Sequence, residues 1–519
     1  MSASPALPTE RKRPWLLPAF LLAGWIALAL SGFPAPTIDD LFYAGPAVHL
    51  AAGEGLVNPW LGVLDPVGHR FLVYPPLYFP LLAGWLKGFG VGTLSLLAFQ
   101  ACAAFLAAIV GLAFLRRIEG RPPLLWPCLA GNLLLATLVA LSGLRPDVCA
   151  LALFALGAWI ETEAALPFPR FRIPLRFLGP LLLVASVQTL PFLVVWASLF
   201  FLWRFLTTPD GGRGDLIARF GLAFTLNVFL FLWAIGFRLP AFLHDLAVCQ
   251  ANHSFANRAF YADTWHSPAY LLRTLLLPLC FLGSGAVVLG GKWRRAVAKK
   301  ERRALARTAS LLVLLVVLSL VFLTRSVSSV RFLGLQCAAG TVLFAWIAAL
   351  GLREGKAIPA RWIPPALAVV AVLFFVVSYG RGLVEWASVA RPDAGEIARL
   401  RTEADARLAQ APGAPFLVDP VSARVIFDFR LPSGARDATW EIVWTHPPLA
   451  PGPESERIAP AFALFSPQKT LYAGFPDGDR RYAPHLAVPI QLFGREIPRT
   501  AANRNAIFFV PTKPDGSVW

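Results

Sequence analysis

WLLPAFLLAGWIALALSGFPAPTIDDLFYAG, residues 15–45, is the stretch whose reading decides the fold. The segment from Trp15 to Phe33 carries no charged residue. It approaches the ~20 apolar residues that a helix needs to cross the hydrocarbon core of a bilayer. Arg11, Lys12 and Arg13 stand before it, and the adjacent carboxylates Asp39 and Asp40 follow, with Tyr43 close behind. Basic residues at the start put that end on the cytoplasmic side. An acidic pair beside hydrocarbon is costly and repels itself, so it needs a reason to be there.

Composition extends this reading to the whole chain. Of 519 residues, 57% are hydrophobic and only 15% charged, and the mean hydropathy is +0.61. A water-soluble fold of this size could not hide so much apolar surface. Apolar runs near spanning length recur from end to end, so the chain is expected to be an all-α polytopic membrane protein with about eleven transmembrane helices. The net charge of +17 falls in short loops between those runs, as the positive-inside rule requires. With no basic stripe interleaved with aromatics, nucleic acid is excluded as a partner. The six cysteines lie mostly within apolar runs and lack metal-ligand spacing, which reads as buried small hydrophobes.

Placing every basic cluster inside gives spans near 14–33, 93–115, 123–142, 147–165, 177–189, 191–206, 217–237, 269–290, 308–324, 331–351 and 363–380. Arg116, Arg117, Arg204, Arg213, Arg219 and the run from Lys292 to Arg307 serve as inner anchors. The stretch 177–206 reads as two short helices broken near Pro191 or as one kinked helix. The long first external loop, 34–92, holds an apolar helix at about 75–89 expected to lie along the outer surface. Residues 1–380 thus form a transmembrane domain. From 381 to 519 the composition changes to a charged helical pattern and then short β-like runs between Pro- and Gly-rich turns. This C-terminal part is expected to be a small α/β domain outside the membrane, on the periplasmic face.

The residues able to carry chemistry fall on that same outer face. In a short helix over 38–53, Asp39 and Tyr43 share a side at i, i+4 while Asp40 points elsewhere. A desolvated carboxylate beside a second one suits a general base, although an aspartate at a helix boundary is also a common cap. Tyr74-Pro75-Pro76-Leu77-Tyr78 ends the same loop, its prolines stiffening the chain and its aromatics suited to headgroup depth. Arg145-Pro146-Asp147 opens an apolar helix, where Asp147 could equally complement the helix dipole. Arg258 and His266 lie in a later outer loop, and Arg331 opens another apolar helix. Fixed cations near the membrane surface suit a phosphate group. His253 and His266 form no recognised zinc motif.

Asp39-Asp40-Leu41-Phe42-Tyr43-Ala44, Pro75-Pro76-Leu77-Tyr78 and the helix-opening Asp147, in this order, resemble the polytopic glycosyltransferases of the GT-C class. The lipid A aminoarabinose transferases and protein O-mannosyltransferases are the nearest in pattern. The likeness runs over about residues 14–350, and it departs where Tyr74 stands in place of the usual Lys or His and where Gln188-Thr189 replaces a Lys. The resemblance implies transfer of a sugar from a polyprenyl-phosphate donor to a lipid, glycan or protein of the cell envelope, at the outer face of a bacterial inner membrane. It implies catalytic roles for Asp39, Asp40 and Asp147. Tyr43, Tyr78, Arg145, Arg258, His266 and Arg331 would contact substrate, and a divalent metal ion is used by some relatives and not by others. The competing expectation is a transporter or flippase of lipid-linked sugars, which would place charges and broken helices near the midplane and show internal repeats.

Overall fold

The computed structural model describes residues 16–34, 39–59, 76–119, 143–162, 172–208, 210–244, 246–247, 383, 393–410, 416–418, 420–430 and five short strands further on. The spans expected near 123–142, 269–290, 308–324, 331–351 and 363–380 lie outside the described residues. So do Arg258, His266 and Arg331.

Helices dominate the described part. The first apolar segment forms α1 (Leu16–Leu30), and the acidic pair opens α2 (Asp39–Ala51). Tyr78–Phe89 forms α3, which buries Tyr78, Phe79, Leu82, Ala83 and Leu86 on one side. That spacing is the apolar stripe of an amphipathic helix. Gly90 ends it in the left-handed region, φ 84°, a conformation glycine adopts without a Cβ penalty. Then follow α4 (Thr93–Glu119), α5 (Asp147–Thr162) and α6 (Arg172–Thr189). Leu190 is extended and Pro191 starts a short 3-10 turn before α7 (Val194–Thr207). The stretch 177–206 is therefore two helices. The cause is local, since a proline cannot continue the ladder and biases the preceding residue out of helix.

The next helix, α8, spans Asp210–Ala234 and begins well before the expected 217. Ion pairs on successive turns, Arg213 with Asp210 at 2.5 Å and Arg219 with Asp215 at 2.9 Å, support its early start despite Gly211 and Gly212. Among the described residues this is the helix long and apolar enough to cross a membrane. Leu222, Phe224, Phe229 and Trp233 project from it fully or half exposed. An exposed apolar face of this kind marks a contact with lipid or with another protein surface.

Small residues bring α5 and α6 together. A Cβ at Gly157 would lie 2.8 Å from the Gly179 carbonyl oxygen and 2.8 Å from the Leu183 nitrogen, so only glycine permits this approach. At the C-terminal end of α5, Glu161 is buried, with one oxygen 2.6 Å from Arg219 Nη1 and the other 3.2 Å from Arg219 Nη2. Arg204 reaches the same carboxylate at 3.5 Å. Arg204 and Arg219 were expected as inner-face anchors, and the structure turns both onto one buried acid.

The C-terminal part contains α9 (Ala394–Gln410), β1 (Phe416–Val418), α10 (Pro420–Val425), β2 (Ala438–Thr439), β3 (Phe462–Phe465), a β4–β5 pair (Ile490–Leu492, Arg495–Ile497) and β6 (Phe508–Pro511). The sheet order is β2-β1-β3-β6. The first three strands are parallel, with Leu417 opposite both Thr439 and Ala463, and β6 is antiparallel, with Val510 opposite Ala463. Parallel neighbours need a crossover, and α10 sits in the one from β1 to β2. That short helix is also what joins the sheet to the helical part.

Candidate functional site

The turn Gly143-Leu144-Arg145-Pro146 leads into α5, and three other segments pin its backbone. Asp40 Oδ1 accepts the Leu144 N–H at 3.0 Å. The Tyr78 hydroxyl donates to the Leu144 carbonyl at 2.7 Å. Gln100, from the middle of α4, donates from Nε2 both to the Tyr78 hydroxyl and to the Arg145 carbonyl, each at 2.8 Å. The turn is thereby fixed by side chains from α2, α3 and α4, and Arg145 must fold back over them. Its guanidinium carbon lies 5.5 Å from the centre of the Tyr43 ring, within cation–π range. Its Nε donates to Asp147 Oδ2 at 2.9 Å. Tyr43 and Tyr78 meet edge to face at 6.2 Å, an arrangement favoured by the ring quadrupole.

All of these groups are buried. Burial pushes the Tyr78 phenol well above its usual 10, and Cys149, Asp40 and Asp147 nearby push the same way, against the hydrogen bond from Gln100. Tyr78 therefore stays a hydroxyl donor throughout the physiological range. Asp147 Oδ1 is buried and has no hydrogen-bond partner among the described residues. An open acceptor in a closed polar cluster carries a desolvation penalty, and such atoms in native folds commonly answer to a ligand, ion or water.

The second oxygen of Asp40 meets an unexpected partner. Arg424, from α10 of the C-terminal sheet, donates Nη1 to Asp40 Oδ2 at 3.0 Å, and both side chains are at most 1% exposed. Burial pulls the guanidinium below its usual value, while Asp40 and then Asp428 push it back up. The neighbouring turn holds this placement. Asp428 Oδ1 accepts the Thr93 N–H at 3.3 Å and the Thr93 hydroxyl at 3.2 Å, so it supplies an acid to the orphan amides at the start of α4.

Compared with the sequence expectations, the described site contains Asp40, Tyr43, Tyr78, Arg145 and Asp147. Asp39 lies at the first position of α2, and its side chain lies outside the described set. Asp40 does not point away, as the i, i+4 pairing of Asp39 with Tyr43 suggested. It is buried beside Tyr43, since i, i+3 also shares a helix face. Gln100 and Arg424 were not anticipated. A buried glutamine in an apolar helix is a usable signal, whereas nothing local marks Arg424. Among the described residues no three His, Cys, Asp or Glu side chains gather as metal ligands.

No family model matches the chain, and no curated protein matches it. Among solved structures the chain is similar to the crystal structure of ArnT from Cupriavidus metallidurans bound to undecaprenyl phosphate. The two are 14% identical with a TM-score of 0.49, over 87% of this chain and 93% of that one.

Proposed function

We propose that this chain is an integral membrane glycosyltransferase that moves a sugar from a polyprenyl-phosphate donor to a lipid, glycan or protein acceptor of the cell envelope. The observation that carries the reading is the convergence, in one buried cluster, of residues from the three stretches that the resemblance is built on. Asp40 and Tyr43, Tyr78, and Arg145 with Asp147 come from separate parts of the chain and share hydrogen bonds or ring contacts. The proposed setting is the outer face of a bacterial inner membrane, with the N-terminus cytoplasmic and the C-terminal sheet periplasmic.

Within this proposal the two first-loop aspartates divide the work. Both oxygens of Asp40 are committed, to a backbone amide and to a guanidinium, which suits an anchor for the start of α2. Asp39, one residue earlier, is the general base. It takes the proton of the acceptor hydroxyl as that oxygen attacks the anomeric carbon. The bond from that carbon to the polyprenyl phosphate breaks with its electron pair leaving on the phosphate, and the anomeric configuration inverts. Arg258 and Arg331 neutralise the charge developing on the leaving phosphate. The open oxygen of Asp147 orients the acceptor hydroxyl, and Tyr43, Tyr78, Arg145 and His266 shape the pocket.

The test uses membranes holding the full chain, fed a labelled polyprenyl-phosphate sugar and a mixture of envelope acceptors. Asp39→Asn is expected to reduce transfer by about 10²–10⁴-fold, the range for losing a general base. Undiminished transfer by a well-folded variant removes Asp39 from that role. Donor translocation without a new glycosidic product would favour the flippase reading.

A further inference from the structure

We infer that Arg424 is an anion-binding fork delivered to the site by the C-terminal sheet, and that it takes the phosphate or carboxylate of a bound ligand. A guanidinium has two edges suited to bidentate recognition, and one of them is formed by the parallel N–H groups of Nε and Nη2. Asp40 is bound through Nη1. The atoms left buried and without a hydrogen-bond partner among the described residues are Nε and Nη2. The open donors are thus the pair that matches a phosphate or carboxylate, and Asp40 occupies a different part of the group. Two orphan donors on a buried cation carry a desolvation penalty that a resident oxyanion would relieve.

The surroundings support a deliberate placement. The Thr93 hydroxyl that donates to Asp428 also lies 3.3 Å from the Arg424 carbonyl, and Arg401 donates to the Ile426 carbonyl and lies 3.2 Å from Asp428 Oδ2. Asp428 and Phe429 both take left-handed backbone, φ 48° and 59°, a strained conformation for residues other than glycine. Phe427 and Phe429 are buried. Strain of this kind persists where the surroundings over-determine it.

The chemistry of the ligand rests on the transferase reading, and the fork itself does not. The experiment titrates the purified full-length protein with undecaprenyl phosphate, uncharged undecaprenol and inorganic phosphate. Arg424→Lys keeps the charge and loses the fork. It is expected to weaken undecaprenyl phosphate binding by about 10- to 100-fold, as expected for a lost charge-assisted pair, and to leave undecaprenol binding unchanged. If inorganic phosphate competes with the lipid in the parent and not in the Lys variant, the fork reads phosphate from any source. If only lipid affinity falls, it reads the lipid-linked donor. Should the Lys variant fold poorly, the pair Asp40→Asn with Arg424→Gln removes both buried charges and is expected to show the same loss. Parent-like affinity for undecaprenyl phosphate in both overturns the inference. Lost lipid affinity in the variants together with no transfer by the parent itself would keep the fork and discard the transferase, whereas normal transfer and normal affinity in the variants would discard the fork alone.

Discussion

The two ends of α5 each bury charge, and they do so in opposite styles. They lie about 21 Å apart along the axis. At the Glu161 end both carboxylate oxygens are engaged, two of the contacts being a paired grip by Arg219. At the Asp147 end, one carboxylate oxygen and two guanidinium nitrogens of Arg424 are sealed from water without a partner among the described residues. A buried ion pair repays its desolvation only when its geometry is complete. The fully engaged carboxylate therefore reads as a brace, and the carboxylate with an open oxygen as a place where something else can bind.

If that contrast is right, damage at the two ends should register in different measurements. Glu161→Gln leaves Arg204 and Arg219 beside a neutral partner, and since Arg219 keeps Asp215, the cost falls below the ~3–5 kcal/mol of a fully buried pair that loses one member. A clear fall in the folded fraction after heating in detergent is expected, with transfer per folded molecule kept. Retained heat resistance would mean that the brace is dispensable. Gly157→Ala tests the helix contact between the two ends. Its Cβ would meet backbone atoms at 2.8 Å, and overpacking of that kind costs about 1–3 kcal/mol. A smaller fall in thermal stability is expected, and none would show that α5 and α6 can shift apart freely.

The smallest effect concerns pH. The Tyr78 pKa is raised above 10 in the fold, so its contribution to stability is fully present below pH 10. The contribution is lost as pH rises from the unfolded value through the higher folded one, because only the unfolded chain sheds the proton readily. Tyr78→Phe is expected to flatten this alkaline loss in a stability-against-pH series. An unchanged slope would assign the loss to other groups.

The features that could be read from the chain are those written in neighbouring residues. The apolar runs, the break at Pro191 and the polar residues placed where apolar helices begin are local patterns, and α3 follows the stripe seen in residues 78–89. Asp40, Tyr43, Tyr78, Arg145 and Asp147 were candidates because polar groups at such boundaries are expensive. What stayed hidden depends on distant partners. Arg424 sits 384 positions from Asp40, on a helix of six residues too short to show a period. Arg204 and Arg219 looked like inner-face anchors, since the turn that carries them to Glu161 comes from packing across α5, α7 and α8. The choice between Asp39 and Asp40 was equally beyond local pattern, because spacings of three and four both return to the same face.

Transfer and thermal stability measured together on Asp147→Asn and Glu161→Gln separate the half-open carboxylate of α5 from the fully engaged one. Asp147→Asn is expected to lose transfer per folded molecule by at least about tenfold, as for one misplaced hydrogen bond to a reacting group, beyond any stability lost by leaving buried Arg145 beside a neutral partner. Glu161→Gln is expected to unfold earlier and to transfer normally per folded molecule. Normal transfer by Asp147→Asn, or transfer abolished in folded Glu161→Gln, would contradict this contrast.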